Sequence, residues 1–180
     1  MPNQKIFLTA NDFQDDCIRL ARQVYEDKTW QPDLILALWR GGAQPGVIMS
    51  EVFSLLGPAV PHTIIKCASY AGIGEQSEVL FFGADAILDN IQPKQRVLVV
   101  DDVFDTGRTA AAVRQRLPQA DLKFAMVYWK PEASKVDFAP NYYIHECNQW
   151  IVFPHELKGL TRDELMEKSP HLYALLYPEG

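Results

Sequence analysis

Asp105-Thr106-Gly107-Arg108-Thr109 combines an acid, two hydroxyls and a glycine just ahead of Ala110-Ala111-Ala112-Val113, a good helix-forming run. At a helix N-terminus, free backbone N–H groups, the helix dipole and the Thr106 and Thr109 hydroxyls can hold a phosphate dianion. Gly107 lets the backbone approach such a ligand closely. Asp101 and Asp102 stand just upstream, in RVLVVDDVFDTGRTAAAVRQR. A plain strand-to-helix turn with Asp and Thr as caps is the competing reading, but three carboxylates in five residues exceed what capping needs.

Val97-Leu98-Val99-Val100 is an apolar, largely β-branched run, expected as a strand buried on both faces of a parallel sheet and ending at Asp101. Ligands of open α/β sheets sit outside the carboxyl ends of strands, where these acids fall. Adjacent strand residues point to opposite faces, so the two carboxylates are expected to diverge. No GxxxxGK[ST] loop occurs, and Gly72-Ile73-Gly74 lacks the third glycine of a dinucleotide fingerprint.

A second strand, Leu34–Leu38, runs into Trp39-Arg40-Gly41-Gly42-Ala43-Gln44-Pro45-Gly46, and a helix is expected from Val47 to Leu56, with Pro45 suiting its first turn. This is another candidate anion cradle, although a Gly-Gly turn after a strand is more often structural. Residues 12–27 read as an amphipathic packing helix capped by Asn11. His62–Ala68 reads as a strand ending in Ser69-Tyr70, Ala71–Ser77 as a mobile loop, and Val79–Phe82 as a returning hairpin strand. Ile87, Leu88 and Ile91 make a short apolar turn before the central strand. A helix is expected over 109–117.

Leu122–Trp129 is a further strand, ending at Lys130, and Tyr142–Glu146 another. A lysine after a strand is usually a solvated end; at the carboxyl edge of this sheet it is placed to face the site. The aromatic segment Gln149–Pro154 is expected near the edge of the sheet. Thr161 and Glu164 form a capping box, and Leu172–Tyr177 is an apolar tail for packing or an oligomer contact.

At 180 residues, without repeats or low-complexity linkers, the chain is expected to be one domain, 1–180. Its composition is 48% hydrophobic and 22% charged, ordinary for a globular protein. Lys and Arg number 17 against 23 Asp and Glu, a net charge of −6, which disfavours a nucleic-acid partner. Cys17, Cys67 and Cys147 fit neither a disulfide framework nor a zinc pattern and are expected as buried thiols in a reducing compartment. MPNQKIFLTANDF lacks a signal-peptide pattern and no apolar run is long enough to span a bilayer, so a cytoplasmic protein without a membrane partner is expected.

The ordered segments LILALWRGGAQPG, KCASY, VLVVDDVFDTGRT, YWKPEAS and QWIVFP resemble the type I phosphoribosyltransferases, and among them the xanthine-guanine (hypoxanthine) branch of the purine-using group. The resemblance implies an α/β fold with a mainly parallel central sheet flanked by helices and a small hood formed by the C-terminal part. It implies transfer of phosphoribose from phosphoribosyl pyrophosphate to guanine, xanthine or hypoxanthine, with Mg2+, in a homo-oligomer (dimer or tetramer). Carried over by position, Asp105, Thr106, Gly107, Arg108 and Thr109 would bind the 5′-phosphate, and Arg40 with Gly41 the pyrophosphate. Asp101 and Asp102 would meet the ribose hydroxyls and, through water, the magnesium. Asp105 would exchange a proton with the base. Ser69 and Tyr70 would close a lid, Lys130 would donate to the 6-oxo group, Trp150 would stack on the ring, and the Ile151 backbone would read the exocyclic position. The pyrophosphate loop of purine-using members often holds a cis peptide before the basic residue, here Trp39–Arg40. Val152 departs from the pattern where the best-known branch members carry an acid, and the segment after Leu160 has no counterpart in it. A phosphoribosyl-pyrophosphate-sensing regulator of the same fold and a pyrimidine-using transferase are the other readings. The net acidity and the base-site set Asp105, Lys130 and Trp150 weigh against the first; the Lys-Pro and Trp-Ile segments weigh against the second.

Overall fold

The computed structural model describes residues 5–70 and 78–178, with backbone alone for 68–70 and 78. The elements in chain order are β1 (Lys5–Phe7), α1 (Ala10–Glu26), β2 (Leu34–Trp39), α2 (Ala43–Leu56), β3 (His62–Tyr70), β4 (Glu78–Phe82), α3 (Asp85–Leu88), β5 (Arg96–Phe104), α4 (Arg108–Arg116), β6 (Asp121–Trp129), β7 (Tyr142–Glu146), β8 (Trp150–Val152), α5 (Arg162–Lys168) and α6 (Pro170–Leu176). They fall into two compact units, Gln14–Asn148 and a smaller one of the residues up to Phe13 with those from Gln149 onward.

The larger unit is built on a six-stranded sheet of order β4-β3-β2-β5-β6-β7. Its strands are parallel except for the antiparallel β3–β4 hairpin, the mainly parallel sheet flanked by helices that was expected. Val97, Leu98, Val99 and Val100 of the central β5 are all fully buried, because helices cover both faces. Val97 and Val99 join Leu36, Leu38, Phe124 and Met126 against Leu88, Ile91, Val113 and Leu117 on the α3–α4 side. On the other side α2 crosses so close over Ala37 that a side chain on Gly46 would lie 2.6 Å from the Ala37 Cβ. Tyr25 of α1 meets Phe53 of α2 edge-on at 5.5 Å. Each such fully buried aliphatic or aromatic side chain is worth about 1.5–3 kcal/mol.

Several local expectations are corrected. β5 does not end at Asp101 but continues to Phe104, because pairing with β6 carries on through Val103–Tyr128 and Phe104–Trp129. α1 begins at Ala10, and its cap is Thr9, not Asn11: the Asp12 N–H donates to Thr9 Oγ1 at 3.1 Å. α2 begins at Ala43 instead of Val47, which shortens the glycine turn before it to Arg40–Gly42. The residues before β5 include the short helix α3. Cys17 is buried, but Cys67 and Cys147 are only partly so.

In the smaller unit, β8 does not extend the main sheet; it pairs in parallel with β1, Lys5 to Trp150 through Phe7 to Val152. The Thr161–Glu164 capping box forms as expected, and the apolar tail is the helix α6, opened by Ser169 and Pro170.

One polar cluster ties the end of α1 to β6 and β7 within the larger unit. Asp27 accepts from the hydroxyl of Thr29 at 2.6 Å, from that of Tyr142 at 2.6 Å and from Lys123 Nζ at 3.0 Å. The Thr29 hydroxyl, then Tyr142 and Lys123, hold the Asp27 carboxyl well below the usual carboxylate range. The stabilisation is therefore full above the unfolded value of about 4 and lost as pH falls below it. Asp27→Asn is expected to lower the melting temperature at pH 6, with the gap to the parent protein closing as pH drops from about 4 toward 2. A gap that is constant with pH would detach Asp27 from acid stability.

Candidate active site

Three chain segments meet at the carboxyl end of β5. Asp101 curls along its own strand, so that its Oδ1 accepts the N–H of Asp102 at 3.0 Å, and it also accepts from the backbone of Gly42. This corrects the expected divergence of the two acids. A carboxylate that folds back to the next N–H no longer projects from its own face of the sheet, and the pair interacts. Burial, and then the charge of Asp102, hold the Asp101 carboxyl well above its ordinary range.

The turn after β2 packs directly onto these acids. A side chain on Gly41 would overlap the Asp102 carboxylate, and one on Gly42 would lie 2.8 Å from the backbone N and O of Leu38. Only glycine admits that approach. The Trp39–Arg40 peptide is cis, and Arg40 is exposed.

Asp105, Thr106 and Gly107 form the bend into α4. Gly107 occupies the N-cap with φ of 75° and without a side-chain cap hydrogen bond. The Arg108 N–H stands 3.5 Å from Thr106 Oγ1. A cavity of about 200 Å³ lies among Leu38, Asp101, Asp102, Met126 and the Asp105–Thr109 turn. Lys130 enters from the end of β6: its N–H donates to the Phe104 carbonyl at 2.9 Å, and its Nζ lies 3.8 Å from Asp105 Oδ2. The lysine side chain is 13% exposed and the aspartate 51%, so Lys130 is not a solvated strand end.

A buttress behind the turn had no signal in the sequence. The Lys135 N–H donates to the Thr106 carbonyl at 2.9 Å. Val136 and the Phe104 ring close around Gly107, where an added Cβ would meet the ring at 2.7 Å. Gly107→Ala therefore combines a clash with a left-handed backbone that alone costs about 1–2 kcal/mol. A fall in melting temperature of at least ~2–4 °C is expected by calorimetry; an unchanged value would mean the turn relaxes without loss.

Ser69 and Tyr70 form the end of β3 opposite Val79 and Glu78. The loop expected as a lid, 71–77, lies outside the described residues. Trp150 and Ile151 belong to the smaller unit, where Trp150 is 56% exposed and Ile151 is buried.

A family model described as a phosphoribosyl transferase domain matches residues 3–159. The chain belongs to the phosphoribosyltransferase family. A purine phosphoribosyltransferase from Pyrococcus horikoshii is 30% identical, over 87% of this chain and 97% of that one, with a TM-score of 0.68. A Neisseria gonorrhoeae protein solved with bound ppGpp shares the fold at a TM-score of 0.74 and 20% identity, over 95% of this chain and 98% of that one. A Staphylococcus aureus hypoxanthine phosphoribosyltransferase does so at 0.60 and 23%, over 79% and 76%.

Proposed function

We propose that this phosphoribosyltransferase joins phosphoribosyl pyrophosphate to a 6-oxo-purine (guanine, xanthine or hypoxanthine), giving the nucleoside 5′-monophosphate and pyrophosphate. The observation that carries the reading is the approach of Lys130 Nζ to Asp105 Oδ2, 3.8 Å apart beside the phosphate turn. An ammonium and a carboxylate side by side match the 6-oxo group and imidazole edge of such a base. Adenine offers no acceptor at that place, and leaving the lysine unpaired is costly.

In this reading the leading N–H groups of α4, with Thr106 and Thr109, hold the 5′-phosphate. Arg40 and the Gly41 backbone hold the pyrophosphate. Asp101 and Asp102 meet the ribose hydroxyls, and their negative charge favours the cationic character that the sugar develops as the bond to pyrophosphate breaks. Asp105 takes the proton released by the attacking base nitrogen. Ser69 and Tyr70 close over the reacting centre and exclude water.

The acid pair also fits Mg2+. Its second negative charge raises the cost of the first, a cost that a divalent cation beside the pair would offset. One or two carboxylates with substrate phosphates is the donor set magnesium takes. Bound there, the ion supplies charge neutralisation for the departing pyrophosphate.

Pyrophosphate release, measured with phosphoribosyl pyrophosphate and magnesium against guanine, xanthine, hypoxanthine, adenine, uracil and orotate, tests the reading. Turnover with one or more oxo-purines and none with adenine is expected. Silence with every base alongside tight phosphoribosyl-pyrophosphate binding would make the protein a sensor. Lys130→Ala is expected to lower kcat/KM for the oxo-purine by roughly 10- to 150-fold, the worth of a charged hydrogen bond; unchanged kinetics would remove Lys130 from the base.

A further inference from the structure

The main sheet is covered unevenly. α2 packs on the face that carries Ala37, where Gly46 approaches it, and cross-strand neighbours share a face. Ile64 pairs with Ala37, and Lys66 pairs with Trp39 on one side and with Phe82 on the other. Lys66 Nζ lies 5.2 Å from the centre of the Phe82 ring, which sets both side chains on that face. Leu80, two residues from Phe82, joins them. Trp39, Ile64, Leu80 and Phe82 are nevertheless all exposed, whereas Ile65 and Ala84 on the opposite side belong to the core. α2 thus covers β2 and leaves this part of β3 and β4 as an open apolar shelf.

The flank of α2 that borders the shelf is apolar too. Tyr25 of α1 occupies the other flank, meeting Phe53 edge-on and donating to the Leu56 carbonyl. Ile48, Val52 and Leu55 recur at i, i+4 and i+7 on the side away from Tyr25, and Leu55 is 82% exposed. Val47, on the crest of the helix, is 63% exposed. A convex apolar ridge therefore lies beside a flat apolar shelf. Each carries one charge: Glu51 is exposed on the ridge and Lys66 on the shelf. Among the described residues neither of the two forms an ion pair.

We infer that this ridge and shelf are the contact between two copies of this chain, related by a two-fold axis. A ridge beside a shelf is self-complementary, because a half-turn seats each α2 on the β3–β4 face of the other copy. The same rotation turns each Glu51 toward the partner's Lys66. A partner without the matching shelf would leave Val47 and Leu55 in water. The area suffices as well. The exposed parts of Trp39, Val47, Leu55, Ile64, Leu80 and Phe82 amount to on the order of 500 Å² per chain, at about 150–250 Å² for a large side chain. Two copies together reach roughly the 1,000 Å² that a specific interface needs. The association does not depend on the proposed reaction.

Sedimentation equilibrium of the full chain over a wide range of concentration tests the inference, and the mass of two chains is expected. Leu55→Glu, at a position too exposed to hold the single chain together, is expected to weaken association by about 100-fold or more, because it brings a charge into the apolar contact. Glu51→Lys and Lys66→Glu are each expected to weaken it at least ~10-fold by setting like charges face to face, and the double variant to recover most of that loss. A misfolded single variant would not be rescued in this way. A parent protein of one chain's mass, a dimer indifferent to Leu55→Glu, or a double reversal that associates no better than the single ones overturns the inference.

Discussion

Asp105→Asn is expected to lower kcat by about 10²–10⁴-fold, the usual worth of a general base, with phosphoribosyl-pyrophosphate affinity nearly unchanged. The split follows from geometry. Asn keeps the size of the side chain, and Gly107 at the N-cap, not Asp105, shapes the entry into α4. The backbone N–H groups proposed to receive phosphate are therefore untouched. The lost property is the ability to accept a proton 3.8 Å from the ammonium of Lys130. Steady-state kcat and an equilibrium titration with phosphoribosyl pyrophosphate read the two effects separately. Equal losses in both would assign Asp105 a structural role.

Asp101→Asn is expected to act in opposite senses on stability and on function. The Asp101 carboxyl is held above its ordinary range by burial and by Asp102. A raised carboxyl is fully accommodated only while protonated, at pH below its unfolded value of about 4, and that advantage is lost as pH rises through the raised one. Above about pH 4, ionising Asp101 in the folded chain therefore opposes folding, and the amide removes that cost. The ligand-free variant should melt higher, by about 2–4 °C for each kcal/mol relieved. The rise should grow as pH climbs above about 4 and vanish in acid. With one carboxylate gone, the melting shift that Mg2+ and phosphoribosyl pyrophosphate together produce in the parent protein should shrink sharply. A variant that melts lower and retains the full ligand shift would show that Asp101 is a structural hydrogen-bond acceptor and not part of the site. Stability given up for a preorganised pair of charges is the pattern expected where function is concentrated.

What was legible in the chain was local. Four consecutive apolar residues, Val97–Val100, announced a strand covered on both faces, and all four are fully buried. Thr161 with Glu164 announced a capping box, which forms with both reciprocal hydrogen bonds. The Asp105–Thr109 turn announced a helix start, and α4 begins at Arg108 with Gly107 at its N-cap. Errors came where a neighbour far along the chain decided. Asn11 and Thr9 are both able caps, and the choice depends on where α1 begins. The extension of β5 to Phe104 depends on β6, whose partner residues come later in the chain.

Local sequence specified the parts: the buried central strand, the glycine-bearing turn at a helix start, the two glycines after Arg40 and the family to which these motifs point. Tertiary structure alone decided their relations. It set Gly42 against Asp101 and Gly41 against Asp102. It turned the two carboxylates toward one another instead of apart, brought Lys130 beside Asp105, put Lys135 behind Thr106 and paired β8 with β1 rather than with the main sheet. The reason is range. Hydrophobic periodicity, capping and turn geometry act over a few neighbouring residues, whereas strand order and the crossings above the sheet are settled by packing between segments that composition does not link.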